Sequence, residues 1–122
     1  MSNSVDHKEI QAFSKDADRW WDVNGPFKPL HRLNPVRMTF IKQQICDHFG
    51  GRFDDLKALK GLKILDGGCG GGLVGEPLAR LGGDVTGADA DAIAIEVAKA
   101  HAEEMGLKIN YKNEPAEAIR RN

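Results

Sequence analysis

The chain has 122 residues, 41% of them apolar and 29% charged, with a formal net charge of −1. That length supports one hydrophobic core rather than two domains of ordinary size. The near-neutral charge excludes a binder whose affinity rests on phosphate contacts, and no apolar run approaches membrane-spanning length.

The N-terminus Met1-Ser2-Asn3-Ser4 lacks the basic and apolar regions of a secretory signal. Two cysteines, Cys46 in a helical stretch and Cys69 in a glycine loop, do not make a disulfide framework, so a cytoplasmic, reducing location is expected. Asp6-x-x-Glu9 reads as a capping box, followed by Ile10, Phe13, Ala17 and Trp20 at helical spacing. Asn24-Gly25-Pro26 stops that helix, and Pro29 keeps the chain extended or turned as far as Leu33. Asn34-Pro35 then starts a second helix, with asparagine as its cap and proline in its first turn. Met38, Ile41 and Ile45 form the apolar stripe of this helix, and Gly50-Gly51 ends it. Between Arg52 and Gly61 the chain is polar, with a short helical turn expected around Leu56 and Leu59.

The central stretch is Lys63 to Gly72, K-I-L-D-G-G-C-G-G-G. Ile64 and Leu65 read as a buried parallel strand with helices on both faces, and Asp66 closes it. Gly68, Gly70 and Gly72 alternate through the loop that follows. Leu73-Val74-x-x-Pro77-Leu78-Ala79-x-Leu81 has helical spacing, so the loop delivers the chain to a helix N-terminus. Gly82-Gly83 ends that helix. Val85 to Ala88 is a second strand closing at Asp89, and a helix capped by Asp91 runs from about Ala92 to Met105, with Gly106 as its stop. Leu107 to Lys112 alternates as a third strand, and Pro115 to Arg120 begins another helix. A helical leader over residues 1–60 is thus followed over 61–122 by β-α-β-α-β-α, which demands an α/β fold with a parallel sheet and right-handed crossovers.

Asp66-x-Gly68-x-Gly70-x-Gly72 with Asp89 at the second strand end is the main functional signal. In an open α/β sheet ligands sit beyond the carboxyl ends of the strands, where both acids lie. An acid ending the second strand can accept hydrogen bonds from both ribose hydroxyls. Spaced glycines with two strand-end acids are more than a bare turn requires. Two cofactor classes compete. Gly70-x-Gly72-x-x-Gly75 matches the dinucleotide fingerprint of a nicotinamide-dependent oxidoreductase, but its first glycine stands four residues past Asp66 rather than directly after the strand. S-adenosylmethionine carries an α-amino group and a sulfonium cation that a carboxylate favours, and D-x-G-x-G-x-G fits it better. A third reading is a non-catalytic cofactor-binding fragment.

L-D-G-G-C-G-G-G with V-T-G-A-D resembles motif I and the next acidic strand end of class I S-adenosylmethionine-dependent methyltransferases. R-W-W-D at 19–22, F-K-P-L-H-R-L-N-P-V-R at 27–37 and V-A-K-A-H-A at 97–102 resemble the ubiquinone-biosynthesis O-methyltransferases, from about Val5 onwards. The resemblance implies an incomplete Rossmann-like methyltransferase fold of three parallel strands with a helical leader. It also implies O-methylation of polyprenylated phenol and catechol precursors of ubiquinone, with contacts to the membrane surface or to partner enzymes rather than to nucleic acid. Carried over, Arg37, Gly68 and Asp89 fall on cofactor-binding positions, and Asp66, Gly70 and Gly72 belong to the same motif. One departure is Gly67, where the family has an apolar residue such as valine.

Arg37 has a physical case of its own, since a fixed helix cation can pair bidentately with the cofactor's carboxylate. Trp20 and Trp21 are expected to anchor the leader on the domain rather than to form a lid. Cys69 has no histidine near it in sequence to make it a nucleophile, and His7, His31, His48 and His101 have no metal-ligand spacing. No residue is a convincing base for deprotonating a phenol, and the catalytic groups are expected in a C-terminal half outside this chain. A first strand without its second neighbour predicts self-association.

Overall fold

The computed structural model describes residues 19–119, and the capping box at Asp6 with the helix expected beyond it lies outside them. Through 19–27 the chain is a series of turns, including Trp20, which the spacing placed on a helix. Helix α1 then runs over Lys28–Phe49 and ends on Gly50, whose φ of 77° is the left-handed cap expected at Gly50-Gly51.

The start of α1 corrects the sequence reading. Pro29 sits in its first turn rather than holding 28–33 extended, and Asn34 and Pro35 lie inside the helix rather than opening it. The first N–H groups of a helix have no intrahelical partner, so a proline there removes nothing. Asn34 is thereby released from capping and used elsewhere. Met38, Ile41 and Ile45 do pack into the core, against Leu59, Leu78 and Val85. Between Arg52 and Gly61 there are turns but no helix; Leu59 is fully buried, whereas Leu56 points outward.

Strand β1 is Lys63–Gly67, α2 is Gly75–Arg80, β2 is Asp84–Ala88, α3 is Ala92–Glu104 and β3 is Asn110–Lys112. A 3-10 turn over Ala116–Ala118 stands where the next helix was expected to begin. Asp91 caps α3 as read from the sequence, accepting from the Ile93 and Ala94 N–H groups at 3.0 and 3.3 Å. The third strand is shorter than its alternation suggested. The Leu107 N–H still bonds the Ala102 carbonyl at 2.9 Å, so Leu107 belongs to the closing turn of α3.

The three strands are parallel in the order β1-β2-β3. Ile64 is opposite Val85, and Asp66, Gly87 and Tyr111 form one row across the sheet. Burial alternates. Ile64, Asp66, Val85, Gly87 and Tyr111 are at least half-covered, while Lys63, Leu65 and Gly67 on β1, Asp84 on β2, and Asn110 and Lys112 on β3 are exposed. Only one face is therefore covered by helices among the described residues, and Leu65 is 50% exposed, against the expectation of a strand buried on both faces. The reason is topological. Two successive right-handed crossovers stepping in the same direction place both helices on the same side.

Candidate functional site

The site lies at the carboxyl ends of β1 and β2. Gly68, Gly70 and Gly72 all have positive φ, at 69°, 53° and 96°, so the loop winds through conformations that side chains resist. It is tied to the sheet by the Gly68 and Cys69 N–H groups, which both donate to the Ala88 carbonyl at 2.8 and 3.0 Å. Asp89 fixes it further: one carboxylate oxygen accepts from the Gly70 N–H at 2.9 Å and the other from the Asp91 N–H at 2.8 Å. Asp89 thus holds the loop and the entry to α3 together. A carboxylate has about four acceptor sites, so both oxygens keep capacity for a ligand's hydroxyls.

Arg37 and Asp66 reach the same place from α1 and β1. Burial raises the Asp66 pKa above 3.8, opposed by the Arg37 guanidinium and reinforced by the Asp89 charge. One Arg37 terminal nitrogen donates to Asn34 Oδ1 at 2.6 Å, and Asn34 Nδ2 donates to the Leu73 carbonyl at 2.7 Å. Asn34, read as a helix cap, instead links α1 to the end of the glycine loop and aims the arginine. Arg37 Nε, Asp66 Oδ2 and the Tyr111 hydroxyl are each buried without a hydrogen-bond partner. Such orphans are costly, and three around one loop call for a polar ligand or water.

Tyr111 is a site-lining residue that sequence reasoning missed. Its ring crosses β2 because Gly87, its partner in register, has no side chain; a Cβ there would lie 2.5 Å from the ring. The hydroxyl consequently sits beneath the loop, 2.6 Å from where a Gly72 Cβ would be. Burial, and then the charges of Cys69, Glu76 and Asp66, push its pKa up, so the phenol stays neutral. Cys69 is also pushed up, to about 12, by burial first and then by Asp66 and Asp89. A thiol held that far from ionisation is no nucleophile. At Gly67 a Cβ would lie 2.8 Å from the Ala116 Cβ, so the glycine makes room for the 3-10 turn. That turn seats against the end of β1, at the position where the sequence departs from the family's apolar residue.

The tryptophans touch the loop directly. Trp21 Nε1 donates to the Gly71 carbonyl at 2.9 Å. Trp20 lies against Gly70 and Gly71, and its carbonyl accepts from His31 Nε2 at 2.8 Å. Among the described residues no group of three or more His, Cys, Asp or Glu side chains could hold a metal ion, and no helix is long and apolar enough to cross a membrane.

A parallel sheet whose first strand ends in an acid, followed by a glycine loop and an acid closing the second strand, is the arrangement expected of S-adenosylmethionine-dependent methyltransferases. Residues 64–122 match the methyltransferase domain family. A solved S-adenosylmethionine-dependent methyltransferase from Clostridium acetobutylicum superimposes with a TM-score of 0.54 over 92% of this chain and 39% of its own, at 16% identity, which shows the shared fold. The chain is 51% identical over 116 residues to a ubiquinone biosynthesis O-methyltransferase of Chelativorans sp. (95% of this chain, 46% of that protein). It is 56% identical over 110 residues to that of Pelagibacter ubique (90% and 45%). Over nearly its whole length the chain is therefore similar to a portion of the ubiquinone biosynthesis O-methyltransferases. It spans a little under half the length of these relatives.

Proposed function

We propose that this chain is the cofactor-binding portion of an S-adenosylmethionine-dependent O-methyltransferase acting on polyprenylated phenol and catechol intermediates of ubiquinone biosynthesis. The observation that carries the cofactor is the partly buried pair Arg37 and Asp66, of opposite charge, each with a buried, unpartnered polar atom beside the glycine loop. A zwitterionic amino-acid end suits them, its carboxylate facing Arg37 and its ammonium facing Asp66. Asp89 would accept from the ribose hydroxyls, and Gly68, Gly70 and Gly72 would let the backbone approach the ligand closely. When bound, the cofactor supplies an electrophilic methyl group on a positively charged sulfur for transfer to a phenolic oxygen. The residues described here bind and orient; the group that takes the phenol's proton is proposed to lie in sequence that the relatives have and this chain lacks.

A nicotinamide dinucleotide fits less well. Its pyrophosphate would approach a loop flanked by the carboxylates of Asp66 and Asp89, and Gly70, the first glycine of that fingerprint, stands four residues past Asp66 rather than directly after the strand. In this reading 1–60 is the leader that contributes Arg37 and 61–122 carries the cofactor unit. The proposed setting is cytoplasmic, with the prenylated substrate met at the membrane surface or through partner enzymes.

Titration of intrinsic tryptophan fluorescence tests the cofactor, since Trp20 and Trp21 lie on the loop. S-adenosylhomocysteine is expected to change the emission saturably while NAD does not. A response to NAD alone would overturn the reading. In the complete protein, methyl transfer to a short-chain prenylated catechol, lost in Arg37→Ala, tests the activity.

A further inference from the structure

The glycine loop is gripped from outside by a strap that the cofactor reading does not explain. Besides the Trp21 bond to Gly71, the Trp20 ring is so close that a Cβ on Gly71 would lie 2.5 Å from it and one on Gly70 2.7 Å away. Trp20 is itself stacked on Phe27, ring centres 3.8 Å apart and 10° from parallel. The Trp21 indole is stacked on the His101 imidazole of α3, at 3.7 Å and 3°. His101 Nδ1 donates to Glu76 Oε2 at 2.6 Å, and the other Glu76 oxygen accepts from Arg80 at 3.3 Å. Glu76 is fully buried on α2, the helix that the loop enters.

These contacts close a circuit: loop, Trp21, His101, Glu76, α2 and back to the loop. A buried carboxylate demands a partner, so Glu76 holds the imidazole at one orientation. The imidazole in turn sets the plane of the indole, and the indole N–H sets the Gly71 carbonyl. Peptide planes are rigid units, so fixing the Gly71 carbonyl fixes the direction of the following N–H as well.

We propose that His101 is a positioning residue for the cofactor loop, acting through Trp21 and oriented by Glu76. This rests on the reading of that loop as the S-adenosylmethionine site. The imidazole acts through its contacts with Trp21 and Glu76, and its effect is on the population of loop conformations competent to bind.

The test uses His101→Gln, Trp21→Phe and the double variant of the full chain. Glutamine can still donate to Glu76 but has no ring to stack; phenylalanine keeps a ring but loses the donor to Gly71. Two measurements are made: S-adenosylhomocysteine affinity by calorimetry, and amide exchange at Gly70–Gly72 with Val85–Gly87 of β2 as internal control. Each single variant is expected to weaken affinity about five- to tenfold, the scale of one net hydrogen bond. Each should also speed exchange in the loop while leaving β2 unchanged. The double variant should be no worse than Trp21→Phe alone, because both act through one contact.

Unchanged loop exchange in His101→Gln, equal acceleration in loop and strand, or additive losses in the double variant would each overturn the proposal. Failure of the unaltered chain to bind S-adenosylhomocysteine would instead overturn the cofactor reading. The proposal would fall with it as a statement about cofactor binding, and the exchange data would still decide whether His101 orders the loop.

Discussion

Asp66 shows most directly how one residue's environment sets its behaviour. Its pKa is raised by burial, so the folded state holds the proton over a pH range where the unfolded chain has released it. The stability this contributes is present below the unfolded pKa and is lost as pH rises through the folded one. Asp66→Asn is therefore expected to flatten the loss of stability that sets in as pH rises above the ordinary carboxylate range, read from denaturation midpoints measured as a function of pH. An ammonium group bound beside Asp66 would favour the ionised form. Cofactor affinity should then fall as pH drops through the Asp66 pKa, and a pH-independent affinity would contradict the placement. Asp89 has a double duty that the sequence did not suggest, since it anchors Gly70 and Asp91 as well as facing the proposed ribose. Asp89→Ala is expected to weaken S-adenosylhomocysteine binding by about 1.5–3 kcal/mol. Asp89→Asn should weaken it too, because an amide has one acceptor oxygen for the two N–H groups it must hold. Equal calorimetric affinity in wild type and both variants would remove Asp89 from the site.

Among the elements, α1 departs most from its sequence pattern. An Asn-Pro pair reads as a helix start because asparagine caps and proline suits the first turn. The helix nevertheless begins at Lys28, and a proline within a helix costs about 3 kcal/mol. Packing of Met38, Ile41 and Ile45 on the sheet and the Asn34 link to Leu73 offset that cost. Asn34→Ala should therefore leave helix content nearly intact by circular dichroism yet weaken cofactor binding, because Arg37 loses its support. A residue acting only as a helix cap would show the reverse. At α3, by contrast, Asp91 is the cap the sequence announces, and Asp91→Ala should destabilise the fold by about 1 kcal/mol in urea denaturation.

At the scale of the molecule, β1 is paired on one edge only among the described residues, and its outward Leu65 is half-exposed. An unpaired edge beside an apolar residue is a template for another strand. The 122-residue chain by itself is expected to self-associate and to lack methyl transfer. Light scattering showing a strict monomer, with strongly protected amides through Lys63–Asp66, would overturn that expectation.

The sequence alone determined the order of elements from β1 to β3, the glycine loop and its two strand-end acids. These follow from local periodicity, from glycine's tolerance of positive φ, and from strands that end where acids and glycines begin. The stops at Gly50 and Gly106 and the cap at Asp91 were legible for the same reason, because each is satisfied within a few residues of chain. Tertiary structure alone decided what crosses between elements. Tyr111 reaches under the loop because register sets it opposite a glycine, Asn34 leaves its own helix end to hold Leu73 and Arg37, and His101 meets Trp21 across 80 residues of sequence. Glu76 had a faint sequence signal, an acid on the apolar stretch after the glycine loop, but its partner is 25 residues away. Which face of the sheet is covered was likewise invisible to periodicity. That depends on the direction in which successive crossovers step, and no single segment carries it.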